Sequence, residues 1–198
     1  MTKIKQICKG IVKDLNPFYS LIISSKCNRG SCSRRGTLHE AALCKSGHIV
    51  KYLLEQGMDA NALNDLGKTP LHEAVEVNSS HVARLLLDSG ADVNAKDANG
   101  GWAPLHYAAN MGTATLELTK LLLDYGADIE VASTVHGHTP LHHTVYRNST
   151  GLARLLLENG ANVNAVNAAG ETPGDLAKKY GSPVYYVIEA SLHHQENK

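Results

Sequence analysis

No stretch of the chain approaches the roughly 18 consecutive apolar residues that a membrane-spanning helix requires. The N-terminal run "MTKIKQICKGIVKDLNPFYSLIISS" is broken by Lys13, Asp14, Asn16 and Pro17 where a secretory leader needs an unbroken apolar core. A secreted or membrane-spanning product is therefore not expected. Cysteine is scarce, with four residues at positions 8, 27, 32 and 44 of 198. The rest of the chain has no bridge to use, so disulfides are not what holds the fold, and a reducing intracellular setting is expected, cytoplasmic or else nuclear. The sequence contains no P-loop, no paired-glycine dinucleotide fingerprint and no G-x-S-x-G elbow, which leaves nucleotide-driven and serine-hydrolase chemistry without their usual machinery. No enzymatic activity and no cofactor are expected.

Net charge is also missing, but its absence hides an asymmetry. Residues 1–35 hold eight Lys or Arg against the single acid Asp14, whereas residues 36–198 hold eleven against eighteen, giving +7 and −7. An acidic body is a poor nucleic-acid binder, since phosphate contacts need clustered cations. The basic arm forms a separate segment. In it Ile4, Ile7, Cys8, Ile11, Val12 and Leu15 recur at helical spacing, with Lys5, Lys9 and Lys13 on another face. One reading is a capping helix pair over 4–15 and 18–23, joined by the basic linker "KCNRGSCSRRG". A second is an interfacial helix in residues 1–23 that docks on an anionic membrane surface, helped by acylation of Cys8, and a third, from the acid-poor start, is an organelle transit peptide.

What the sequence does have is repetition. The histidines of "LHEAA", "LHEAV", "LHYAA" and "LHHTV" stand at 39, 72, 106 and 142, a near-constant step, and an altered copy, "TPGDLA", puts Asp175 one further step along. Gly57, Gly90, Gly126 and Gly160 close the leucine-rich runs and keep a near-constant offset from those histidines, a little over half a step. Each copy reads as two short helices and a turn. In the second, Thr69 is placed to cap the first helix and Pro70 sits at its first position, where a missing N–H costs nothing. Leu71 and Ala74 then face inward. Val82, Leu85 and Leu86 are expected to form the apolar face of the second helix, which closes at Gly90. "ADVNAKDANGG" suits a loop or hairpin. A unit this small cannot bury its own apolar face and must stack on its neighbours.

The motifs "GKTPLHEA", "GWAPLHYAA" and "GHTPLHHT", each followed by an "LLL" helix and "GAD" or "GAN", resemble the ankyrin repeat, whose period of about 33 residues they share. The resemblance implies an all-α solenoid of stacked helix-turn-helix units joined by hairpin-like loops. The expected organisation is a basic segment over 1–35, four repeats and a degenerate capping repeat over 36–190, and a polar tail over 191–198. Departures from the pattern are Gly36 and Thr37 in place of Thr-Pro, insertions in "NMGTATLELTK", "NGGW" and "VASTVHGHTP", and Gly174 where leucine belongs. Losing a buried leucine costs roughly 2–5 kcal/mol, which an end repeat can bear. The closing stretch "GSPVYYVIEASLHH" reads as a final helix that frays.

By the same resemblance His39, His72, His106 and His142 take a structural hydrogen-bonding role, and the other histidines are read as surface or tail residues. His136 and His138 lack a third ligand at zinc spacing, and Cys27, Cys32, His39 and Cys44 fit no standard zinc pattern. The turn tips and the exposed side of each first helix line a concave surface in such stacks. Position by position, this nominates Asp65, Leu66, Lys68, Glu76, Val77, Asn99, Trp102, Asn110, Met111, His136, His138, Tyr146 and Arg147 as contacts for another protein. Trp102, Met111, Tyr146 and Arg147 are of types that anchor interfaces, although a tryptophan at this turn can instead pack locally. The expected product is a monomeric adaptor, scaffold or inhibitor, or alternatively a membrane-surface regulator whose repeats recruit a client.

Overall fold

Histidine at the third helical position and proline at the first set up the second, third and fourth repeats. The computed structural model of the protein describes residues 37–196. The expected N-terminal helix pair, its linker, Cys8, Cys27, Cys32 and Gly36 lie outside the described residues. Ten α-helices and no strand occur among the described residues: α1 (Thr37–Leu43), α2 (Gly47–Glu55), α3 (Pro70–Glu76), α4 (Ser80–Asp88), α5 (Pro104–Met111), α6 (Leu116–Asp124), α7 (Pro140–Tyr146), α8 (Thr150–Glu158), α9 (Pro173–Tyr180) and α10 (Val184–Glu196). The first helices α3, α5, α7 and α9 pack in succession, and so do the second helices α2, α4, α6, α8 and α10. This is the two-layered helical solenoid that the repeats imply.

At three of the junctions one imidazole makes two joins. The Thr69 N–H, at an extended N-cap, donates to His72 Nδ1 at 3.1 Å. Nδ1 is thereby the acceptor, so Nε2 carries the proton, and it reaches the Trp102 carbonyl of the next hairpin at 3.0 Å. His106 repeats the pattern from the Ala103 N–H to the His138 carbonyl (3.1 and 2.9 Å), and His142 repeats it from the Thr139 N–H to the Glu171 carbonyl (3.1 and 3.2 Å). His39 Nε2 meets the Lys68 carbonyl at 2.8 Å. In the fifth copy Asp175 takes the histidine's place. Thr172 N–H donates to its carboxylate at 2.9 Å and Asp175 N–H donates to Thr172 Oγ1 at 3.1 Å, a reciprocal capping box.

The core is a row of leucines, with Leu71, Leu86, Leu105, Leu122, Leu141, Leu156 and Leu176 among the fully buried residues. One expectation needs correction. The inward face of α4 is Val82, Ala83, Leu86 and Leu87, while Leu85 is only half-buried on its flank. The small Ala83 takes the buried place expected of Leu85. At Gly174 the final helix compensates for the missing leucine, because Ile188 Cγ2 lies 3.6 Å from where a Cβ would stand. Val184 and Ile188 are themselves buried, so α10 is packed over this stretch, and it runs on to Glu196.

The insertions sit in connections. The extra residues of the third repeat wind into a single 3₁₀ turn, Gly112–Thr115, pinned by Thr115 Oγ1 donating to the Ala108 and Gly112 carbonyls at 2.8 Å. The loops are hairpins that bond to one another: Ala98 N–H to the Leu66 carbonyl (3.0 Å), Thr134 N–H to Gly100 (2.8 Å) and Ala168 N–H to His136 (2.9 Å). Gly101 in "NGGW" stands where Gly67, Gly137 and Gly170 stand in the other copies, all at positive φ, so the added residue falls before it; Gly101 lies at φ +65°, and a Cβ there would stand 2.3 Å from Thr134 Cγ2. Only glycine fits both the backbone and the space. On the other side of the hairpins, Asn61 donates to the Gly90 carbonyl (3.0 Å) and accepts from the Asp92 N–H (2.7 Å). Asn94 does the same with Gly126 and Asp128 (3.2 and 2.8 Å), whereas Glu130 only accepts, from the Asn162 N–H at 2.7 Å.

Candidate interaction face

Repeat register places four pairs of side chains in equivalent positions, one member ending a hairpin and the other two turns further on, near the end of the first helix. The pairs are Lys68 with Glu76, Trp102 with Asn110, His138 with Tyr146, and Glu171 with Lys179. The outer two are ion pairs, at 2.7 Å for Lys68–Glu76 and 2.8 Å for Lys179–Glu171. The inner two are uncharged. Tyr146 OH lies 3.5 Å from His138 Nε2, and Asn110 Oδ1 accepts from Arg147 Nε of the next repeat at 3.0 Å.

Rings link these pairs into one continuous surface. The Lys68 ammonium stands 4.6 Å from the centre of the Tyr107 ring, close enough for cation–π attraction. Tyr107 meets Trp102 edge-on at 5.3 Å, and Trp102 meets His143 edge-on at 4.5 Å. From there the contacts run through His138 (5.6 Å from His143) and Tyr146 (5.5 Å from His138) to Tyr180 (5.6 Å from Tyr146). Such ring pairs add about 0.5–1.5 kcal/mol each beyond burial. The chain of rings is therefore a stiff platform, assembled across repeats two to five.

Trp102 and Tyr107 are held in place by one buried carboxylate. Asp97 accepts from the Gly100 and Trp102 N–H groups at 3.0 Å and from Tyr107 OH at 2.6 Å. Burial pushes the Asp97 carboxyl up, but these three donors together outweigh it and hold it below the ordinary range. Burial, followed by the bond to Asp97, raises the Tyr107 phenol, which stays protonated as a donor.

His143 corrects the expectation that histidines off the framework lie at the surface. It is 5% exposed, and its Nε2 has no hydrogen-bond partner among the described residues. Burial, reinforced by the neighbouring His106, His138 and His142 and by Arg147, lowers its pKa to about 3, so it serves as a neutral ring. Burial likewise lowers His142 to about 4, and it lowers His72, His106 and His138.

The nominated residues divide. Lys68 is 8% exposed and lies beneath its partners instead of presenting itself to solvent. Trp102, Asn110, Val77 and His138 are half-buried, and Trp102 does pack locally on its neighbouring rings. Asp65, Leu66, Glu76, Asn99, Met111, His136, Tyr146 and Arg147 are exposed. His136, His138 and Tyr146 come together with Asn167, Ala168, Ala169 and Glu171 around an open groove of about 460 Å³ between the fourth and fifth repeats. The sequence reading did not nominate Tyr107, His143, Lys179 or Tyr180. Lys179 and Tyr180 stand one repeat period beyond Tyr146 and Arg147, and Tyr107 and His143 share the position after the framework histidine.

Among the described residues, no group of three or more His, Cys, Asp or Glu side chains is arranged to hold a metal ion, and no helix is long and apolar enough to cross a membrane. A family model for ankyrin repeats (three copies) matches residues 9–97 and 96–167. No curated protein matches the chain.

Proposed function

Because the chain belongs to the ankyrin-repeat family, whose members are generally protein–protein interaction modules, we propose that it is a non-enzymatic adaptor, scaffold or inhibitor. In this reading it acts inside the cell as a monomer and grips a partner protein on the face made by Trp102, Met111, Tyr146 and Arg147 with the rings beside them. The observation that carries the reading is the unbroken line of ring contacts from Tyr107 to Tyr180, ending in an exposed Tyr146 and Tyr180. Rigid aromatic groups lose little entropy on binding and dominate interface energies. The buried histidines also speak against acid–base catalysis. His72, His106 and His142 are committed to repeat junctions, and burial lowers the pKa of all three, favouring the neutral ring.

Tyr146 and Arg147 are exposed, so their truncation leaves the fold intact, whereas Trp102 also supports the core. Tyr146→Ala with Arg147→Ala is expected to weaken a partner recovered by affinity capture about tenfold or more, with unchanged helical circular dichroism and a melting temperature lower by a few degrees as the Tyr146 ring contacts are lost. Retained affinity in this variant would place the binding surface elsewhere.

A further inference from the structure

The two ion pairs that bound the ring platform are the same device with its signs exchanged. At the second repeat the hairpin supplies the cation, Lys68, and the helix supplies the anion, Glu76. At the fifth the hairpin supplies Glu171 and the helix Lys179. In both pairs the helix-borne member is the more exposed: the Glu76 side chain at 46% against 10% for Lys68, and Lys179 at 56% against 30% for Glu171. Each pair is neutral as a whole but turns one sign outward, negative at repeat two and positive at repeat five.

Neighbouring charges add to this polarity. Asp65 is exposed on the hairpin tip at the first end and adds a second negative group beside Glu76. Arg147 is exposed at the other end, and among the described residues it forms no ion pair. Asp175, the remaining acid there, is bound up in its helix cap, and Lys178 is exposed beside it. Lys179 bonds strongly to Glu171, and that contact holds the Glu171 carboxyl below its usual range, so both members stay ionised. Between the ends the face carries rings and amides.

We propose that the face binds one segment of a partner protein in a single charge order: a basic residue beside Asp65 and Glu76, an apolar or aromatic middle on Trp102 and Tyr146, and an acidic residue beside Arg147 and Lys179. This rests on the face being the binding surface. Three helix-to-helix steps of about 8–10 Å separate the ends, a span of roughly 24–30 Å. An extended chain covers it in about nine residues and a helix in about sixteen to twenty. A segment seated the other way round sets like charges together at both ends, and such repulsion governs orientation more than affinity.

The probe is a displayed library of random twenty-residue peptides selected on the full-length protein. Enriched peptides are expected to carry opposite charges on the two sides of an aromatic or apolar centre. Replacing the acidic residue of the best binder by a basic one is expected to weaken it about tenfold. A paramagnetic tag at its basic end should broaden the amide signal of Leu66 and spare that of Tyr180. In the Asp65→Lys, Arg147→Glu variant, whose substituted side chains are both exposed, the tenfold preference should fall to about twofold or invert. Enriched peptides that bind Tyr146→Ala, Arg147→Ala as tightly as the unmodified protein would remove the binding surface itself, and so would a library that yields no binder. Peptides that need the face yet show no charge order, or a tag that broadens both ends alike, would overturn the orientation alone.

Discussion

Two seams join the repeats, and they tolerate change differently. The first is the line of histidines at 39, 72, 106 and 142, each 0–1% exposed and each reaching a carbonyl of the next hairpin. The second is the line of Asn61, Asn94 and Glu130 on the other side of the hairpins, where the corresponding bonds are exposed to water. The buried seam keeps one residue type at all four steps. The exposed seam carries a glutamate at its third step and loses a donor there. Water explains the contrast, because a carbonyl orphaned inside the stack forfeits its hydrogen bond outright, while one at the surface turns to solvent.

Breaking the buried seam at one step gives the sharpest test. His106→Ala removes the acceptor that caps α5 and the donor to the His138 carbonyl, and it leaves a cavity under Trp102. The expected loss is about 3 kcal/mol, a fall of roughly 6–12 °C in melting temperature for a stack of this size. A fall of under about 2 °C would mean that the seam is ornamental and that the leucine row alone holds the repeats in register.

Acid attacks the same seam without mutation. A histidine whose folded pKa is depressed stabilises the fold fully above its unfolded pKa of about 6.5, and that stability is lost as pH falls, because the unfolded chain takes up protons that the folded chain refuses. For His143, lowered to about 3 mainly by burial, the window runs from about 6.5 down to about 3. His142, lowered to about 4, adds to the upper part of that window. His143→Phe keeps a ring against Trp102 and removes one titrating group, so its stability should fall by about 2 kcal/mol less than the unmodified protein's between pH 7 and pH 5. Urea denaturation at the two pH values measures the difference. Parallel losses in both proteins would show that His143 is not shielded.

The buried seam was legible in the sequence because it recurs at a fixed period with proline and threonine beside it. The same regularity exposed the helices, the hairpins and the sites of insertion. Less legible was whatever depends on one repeat touching the next. Lys68 reads as a partner-facing contact residue until Tyr107 and Glu76, from two different helices, close over it. His143 reads as a surface histidine because its burial comes from Trp102 and His106 of the preceding repeat. Glu171 and Lys179 were hidden for another reason: Gly174 and Asp175 break the motif beside them, and the fifth copy looks degenerate although its face continues the register. The apolar stripe of α4 was misplaced by one residue because Val82, Leu85 and Leu86 satisfy helical spacing as well as Val82, Ala83, Leu86 and Leu87 do.

Repairing the exposed seam is the mildest way to probe the contrast. Glu130 accepts from the Asn162 N–H, but as a carboxylate it offers nothing to the Gly160 carbonyl, the counterpart of the Gly90 and Gly126 carbonyls that Asn61 and Asn94 engage. Glu130→Asn supplies the missing N–H donor and relieves a crowded acidic edge, since Asp128 lies two residues away. The expected gain is one exposed hydrogen bond, about 0.5–1 kcal/mol, read as a rise of a few degrees in melting temperature. A gain as large as the loss expected for His106→Ala would show that burial does not separate the two seams. No change at all would mean that water already serves the Gly160 carbonyl as well as an amide would, which is the limit the comparison predicts for a fully solvated step.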